Sequence, residues 1–120
     1  MGISRLYTGD DGQSHIEELD LAACPDLTSP HVAKTIVFRS TAAGHFSDWH
    51  VGPRRQYVIT LSGRGEIEVA AGKKIAMGPG QINLIEDTTG KGHTTRVVGT
   101  EDRVTIAIPL ADQSVSRASH

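Results

Sequence analysis

Six histidines, His15, His31, His45, His50, His93 and His120, are the side chains of this 120-residue chain best suited to move protons or hold a ligand. An imidazole ordinarily titrates near neutrality and so exchanges protons at physiological pH. Solvation accounts for three of them. His15 lies beside acidic residues, His31 follows Pro30 in a loop, and His120 closes the polar stretch SVSRASH. His45, His50 and His93 sit among strand-like and turn-rich segments. Strand alternation places His93, Thr95 and Val97 on one face, and Asp48 with His50 on another if residues 46–51 are extended. His50 and His93, if they oppose each other, could point into one cavity as an acid/base pair. Gln56 shares its face with Val58 and Thr60 and is a candidate substrate contact. Arg54 and Arg55, just before it, could grip a substrate carboxylate bidentately at the cavity mouth. The Glu86-Asp87 pair precedes the loop that carries His93, so one of these carboxylates could face the imidazole and fix its tautomer.

These residues need a β framework. The chain has thirteen Gly, five Pro and few helix-forming runs. Period-two alternation marks GEIEVA (65–70), in which Ile67 and Val69 oppose Glu66 and Glu68, and RVTIAI (103–108), in which Val104, Ile106 and Ile108 share a face. QYVITL (56–61), HTTRVV (93–98), QINLI (81–85) and KTIVF (34–38) also read as strands. Ser62-Gly63-Arg64-Gly65, Ala71-Gly72-Lys73 and Gly78-Pro79-Gly80 supply turns between them. Short strands at this spacing predict an all-β sandwich or barrel forming a single domain. Ser14–Glu17 has the form of a capping box, yet no apolar period follows, so an edge strand is as good a reading. The expected organisation is an N-terminal arm or edge strand over about 1–32, a barrel over 33–110 and a frayed tail over 111–120.

Residues 44–63, GHFSDWHVGPRRQYVITLSG, resemble the first sequence motif of the cupins. That motif reads Gly, five residues, His-x-His, three or four residues, Glu, six residues, Gly. Gly44, His50, Gln56 and Gly63 fall in its register, and Pro53 stands where many small cupins carry proline. Gly90-Lys91-Gly92-His93 is similar to the latter half of the second motif, Pro-x-Gly-x-x-His, with Thr88 in place of the proline. The likeness covers about 44–97, and FSDWH together with PRRQYVITLSG looks like a group of small bacterial cupins. It implies a single-domain jelly-roll β-barrel, a homodimer, and one divalent metal (Fe, Mn, Zn or Ni) held by His50, Gln56 and His93. Gly52 replaces the second family histidine and Gln56 the glutamate, a weaker ligand than a carboxylate. His45, Asp48, Glu86 or Asp87 would have to compensate.

The implied function is binding of a small polar or anionic molecule in the barrel. Metal-assisted or acid/base chemistry of the isomerase, lyase or oxygenase type would act on it. The alternatives are a non-catalytic sensor cupin without its metal, or a structural dimer with a vestigial pocket. Twelve Lys plus Arg against fourteen Asp plus Glu, scattered singly or in pairs, give no basic face for nucleic acid. No apolar run approaches the ~20 residues of a membrane span. The lone Cys24 forms no internal disulfide and reads as a small apolar residue before Pro25. A cytoplasmic protein is expected. Trp49 alternates away from His50 as a packing or interface anchor, and the Gly-rich turns lack the following helix that a phosphate cradle needs.

Overall fold

The computed structural model describes residues 2–114. Its elements, in chain order, are β1 (Ile3–Thr8), β2 (Ser14–Leu19), a single helical turn α1 (Pro25–Thr28), β3 (Val37–Thr41), β4 (Phe46–His50), β5 (Gln56–Ser62), β6 (Arg64–Val69), β7 (Lys74–Met77), β8 (Ile82–Glu86), β9 (His93–Val98) and β10 (Arg103–Pro109). The class is all-β, as the alternation implied. One sheet runs β2-β1-β8-β5-β10-β3 and the other β4-β9-β6-β7. Strands β3 to β6 pair antiparallel with β10, β9, β8 and β7 respectively, so this part of the chain is one long hairpin folded over on itself.

No ladder joins the two sheets among the described residues, so the expected barrel is instead an open two-sheet sandwich. The chain changes sheet abruptly at Gly63, between β5 and β6. Its φ of 73° suits glycine, and a Cβ there would collide with the backbone of Asp102.

The N-terminal residues are more than an arm. β1 and β2 form a hairpin, and β1 then lies parallel to β8, which extends the larger sheet by two strands. β3 begins three residues later than the KTIVF reading. Before it the chain only touches the sheet, through an isolated bridge from Ala33 to Leu110 and a bond from the Lys34 amide to the Pro109 carbonyl.

The sandwich is filled unevenly. Leu6, Ile16, Ile67, Val69, Ile75, Met77 and Ile85 form its apolar core, where the β1-β2-β8 side faces β6 and β7. Each such side chain contributes about 1.5–3 kcal/mol on burial. Between β5-β10-β3 and β4-β9 the inward residues are smaller or polar, including Thr95, Arg103, Thr105 and Ala107, and a cavity remains. In β10 the face Val104, Ile106, Ile108 turns outward while Arg103, Thr105 and Ala107 are buried.

On the outer side of the larger sheet, Arg5 (1% exposed) and Arg55 both pair with the buried Glu86, at 2.5 and 2.6 Å, and Arg5 also reaches Glu17. The segment around Cys24 and α1 lines a smaller hollow over this network. Among the described residues no helix is long and apolar enough to cross a membrane.

Candidate functional site

The cavity has a volume of about 500 Å³. Its lining includes two arginines (Arg39, Arg103) and three histidines (His45, His50, His93), with no aspartate or glutamate. Arg39 and His45 are exposed and mark where it opens, whereas His93 and Arg103 belong to its buried wall.

His50 and His93 are opposite each other in the β4–β9 ladder, and their rings lie 4.6 Å apart at 60°. His93 is 4% exposed. Its Nδ1 is 2.5 Å from Oδ2 of the fully buried Asp87, which also accepts the Ser14 hydroxyl at 2.6 Å. A carboxylate only accepts, so Nδ1 carries the hydrogen and Nε2 keeps its lone pair. His50 Nδ1 donates to the Asp48 carbonyl at 2.7 Å, which leaves its Nε2 free in the same way. In its neutral form each imidazole thus presents an unprotonated Nε2 to a third party.

The turn before β9 sets this geometry. Gly92 has a φ of 77°, and a Cβ on it would drive into the His50 carbonyl, so glycine lets the two strands close where the rings meet. Gly52 is equally constrained. Its amide bonds the Asp87 carbonyl at 2.9 Å, and a side chain there would collide with Ile85.

Gln56 and Val58 line the cavity with the two histidines. Asp48 does not. A bulge between Ser47 and His50 breaks the alternation, so Ser47 and His50 both face inward, and the Asp48 carboxylate bonds the Trp49 amide at 2.8 Å instead. His45 stands at the opening, 3.2 Å from the Ser47 hydroxyl. Arg54 is exposed and does not line the cavity, and Arg55 is committed to Glu86 on the other side of the sheet, so the expected carboxylate grip at the mouth is not formed by either. Glu86 likewise faces outward. Trp49 is 39% exposed, with the Lys91 ammonium 4.8 Å from its ring centre. His15 pairs with Asp11 at 3.0 Å, His31 lies against Tyr57, and His120 falls outside the described residues.

The donor set at His50, Gln56 and His93 is two imidazoles and one neutral amide. No carboxylate lines the cavity to offset a divalent charge, and the Gly52 position is sealed by Ile85. Among the described residues no three His, Cys, Asp or Glu side chains come together as a ligand group. This set does not fit a Zn, Fe, Mn or Ni centre, which takes three or more strong protein ligands.

Arg103 was not singled out from the sequence. It is 7% exposed, and one terminal nitrogen bonds the Thr60 hydroxyl at 2.9 Å and lies 3.4 Å from the Met77 sulfur. Its Nε has no partner, and burial lowers the pKa of the guanidinium below its usual value. The signal was its place on the Thr105–Ala107 face of RVTIAI, which only the hollow interior makes the inner one.

No protein-family model matches the chain, and no curated protein matches it in sequence. Solved structures do. A Rhizobium leguminosarum protein of unknown function is similar at 16% identity over 79% of this chain and 97% of that one, with a TM-score of 0.51. An RmlC-like cupin protein from Desulfovibrio desulfuricans matches over 90% of this chain and 81% of its own, at 17% identity and a TM-score of 0.46. The conserved Streptococcus pyogenes protein SPY1581, of unknown function, matches at 20% identity and a TM-score of 0.47, and the aligned part spans 62% of each chain. At these identities the likeness is one of fold.

Proposed function

We propose that the chain is a small-molecule-binding cupin, in which the cavity takes a polar, anionic ligand and the His50–His93 pair exchanges a proton with it. The strand order supports the family reading. β3 to β10, paired as a folded-over hairpin in sheets β3-β10-β5-β8 and β4-β9-β6-β7, follow the plan of an eight-stranded double-Greek-key jelly roll, to which β1 and β2 are added at one edge.

The observation that carries the chemical reading is the facing pair of imidazoles, 4.6 Å apart in a cavity large enough for a metabolite. Asp87 holds His93 by Nδ1, so Nε2 is the atom that meets the ligand. When Nε2 takes a proton from a carbon or oxygen acid, the new imidazolium lies against the Asp87 carboxylate and its charge is balanced in place. His93 then returns that proton from Nε2 to a neighbouring ligand atom, while the free Nε2 of His50 accepts a hydrogen bond from the ligand. That cycle suits an isomerase or lyase.

The test is uptake of deuterium from heavy water into C–H positions of small oxo and hydroxy acids, followed by proton NMR. Wild type should exchange at least one of them, and His50→Ala and His93→Ala should each lose about 10²-fold or more of the rate. Binding without exchange would favour the sensor reading, and equal rates in wild type and variants would remove the histidines from the account. The assembly we propose is a homodimer through the outer face of β3, where the unpaired strand edge adjoins exposed Ile36 and Phe38.

A further inference from the structure

We infer that the cavity contains a carboxylate receptor built on Arg103, which seats the acid group of the ligand while the rest of the molecule extends toward His50 and His93. The inference rests on the reading of the cavity as a ligand site and names what that site accepts.

Two arginines among the described residues are more than nine-tenths buried, and they are treated differently. Arg5 is compensated by Glu86 and Glu17. Arg103 forms no ion pair among the described residues, and its polar contacts are the Thr60 hydroxyl and the Met77 sulfur. A buried cation is ordinarily paired, because taking it out of water is expensive and the gain comes only from an opposing charge. The guanidinium has five N–H donors in a planar fork; of these, Nε is buried without a partner, and Nη1 makes no hydrogen bond among the described residues. No carboxylate lines the cavity to compete for it, and the second arginine, Arg39, stands at the opening. Burial lowers the Arg103 pKa, the mark of a charge without its counter-charge. A planar, bidentate acceptor fits such a fork better than a tetrahedral one.

The separation from the histidines bounds the ligand. Arg103 packs over Gly65, which pairs with Val97 in β9, and bonds Thr60 in β5. Val97 lies four residues along its strand from His93, and Thr60 four from Gln56. The two ends of the site are therefore about 13 Å apart at backbone level, and the inward side chains shorten the span. An acid group on Arg103 and a second polar group several carbons away would engage both ends.

Calorimetric titration tests this with α,ω-dicarboxylates from malonate to adipate, monocarboxylates from acetate to hexanoate, the corresponding neutral amides, and inorganic phosphate. Wild type should bind at least one carboxylate and bind its amide at least 100-fold more weakly. Arg103→Met should weaken the carboxylate at least 30-fold with the melting temperature unchanged or raised, and Arg103→Lys should retain part of the affinity. In wild type, the Arg103 Nε–H NMR resonance, assigned by its loss in Arg103→Lys, should shift on titration; this readout stands even if Arg103→Met fails to fold. A carboxylate that binds Arg103→Met as tightly as wild type, yet is lost in His93→Ala, would overturn the receptor while leaving the ligand site intact. Amides or phosphate binding more tightly than every carboxylate would overturn the ligand class. Absence of binding by all probes at millimolar concentration would overturn the inference outright.

Discussion

Asp87 uses one carboxylate oxygen for both His93 and Ser14, and its other oxygen, Oδ1, is buried without a partner beside the α-carbon of Gly52. The pair is therefore sensitive to a single-atom change. Asp87→Asn puts an amide where a carboxylate stood, and if its NH₂ faces His93 the imidazole proton must move to Nε2. The expected results are a changed His93 tautomer in ¹⁵N spectra, a loss of about 1–3 kcal/mol in urea denaturation, and a fall of about 10²-fold or more in proton exchange. Chemistry at the residue scale also bears on metal. With no three His, Cys, Asp or Glu side chains brought together among the described residues, protein purified without a nickel column should melt at the same temperature with and without EDTA. Stoichiometric metal that disappears in His50→Ala would contradict the donor argument. A histidine at position 52, where the cupin motif carries one, should not create a site, because Gly52→His must displace Ile85. It should instead cost about 1–3 kcal/mol of stability from overpacking, read in the same denaturation experiment.

Elements place these groups through a few connections with little freedom. Glu86 joins β1, β8 and the start of β5 by bonding Arg5 and Arg55, so Glu86→Ala leaves a buried arginine short of its main partner. We expect a loss of about 3–5 kcal/mol in urea denaturation, and no change at all would mean the network contributes nothing. Much of this framework was readable beforehand. GEIEVA alternates because one face meets the interior and the other water, QYVITL is rich in the β-branched and aromatic residues that suit a pleated surface, and β6 and β5 occupy these segments to within a residue. The parts that were not readable have physical reasons. In β1, ISRL is buried on both faces because α1 and its flanks cover the outer one, so no alternation exists to detect. Its parallel partner β8 is more than seventy residues distant, which no local pattern encodes. In β10 the apolar residues face outward because the interior is a polar hollow, which concealed Arg103. The bulge that turns Asp48 away from the cavity could not be read from alternation either, although an aspartate that bonds the next backbone amide is a familiar companion of irregular strands. Of the expected site, His50, Gln56 and His93 share the cavity because β4, β5 and β9 each turn one face toward it, whereas Arg55 was drawn to Glu86 by charge.

Across the whole molecule, one apolar row crosses the outer surface of the larger sheet, with Ile59, Ile106 and Phe38 in cross-strand register. Phe38 is 70% exposed, and Val32, Ile36 and Leu61 are also exposed. A contiguous patch of this kind favours association, so light scattering should give twice the chain mass for wild type and one chain mass for Phe38→Lys. A wild-type monomer at micromolar concentration would refute the dimer. In the interior, two imidazoles distant in the chain face one cavity, and the proposed function requires that both meet its ligand. Long-range ¹H–¹⁵N spectra of the histidine rings, recorded while the best-bound dicarboxylate is added, test it most directly. The signals of His50 and His93 should move together along one binding curve, while those of His15 and His31 stay fixed. Movement at the exposed histidines with none at this pair would contradict the account.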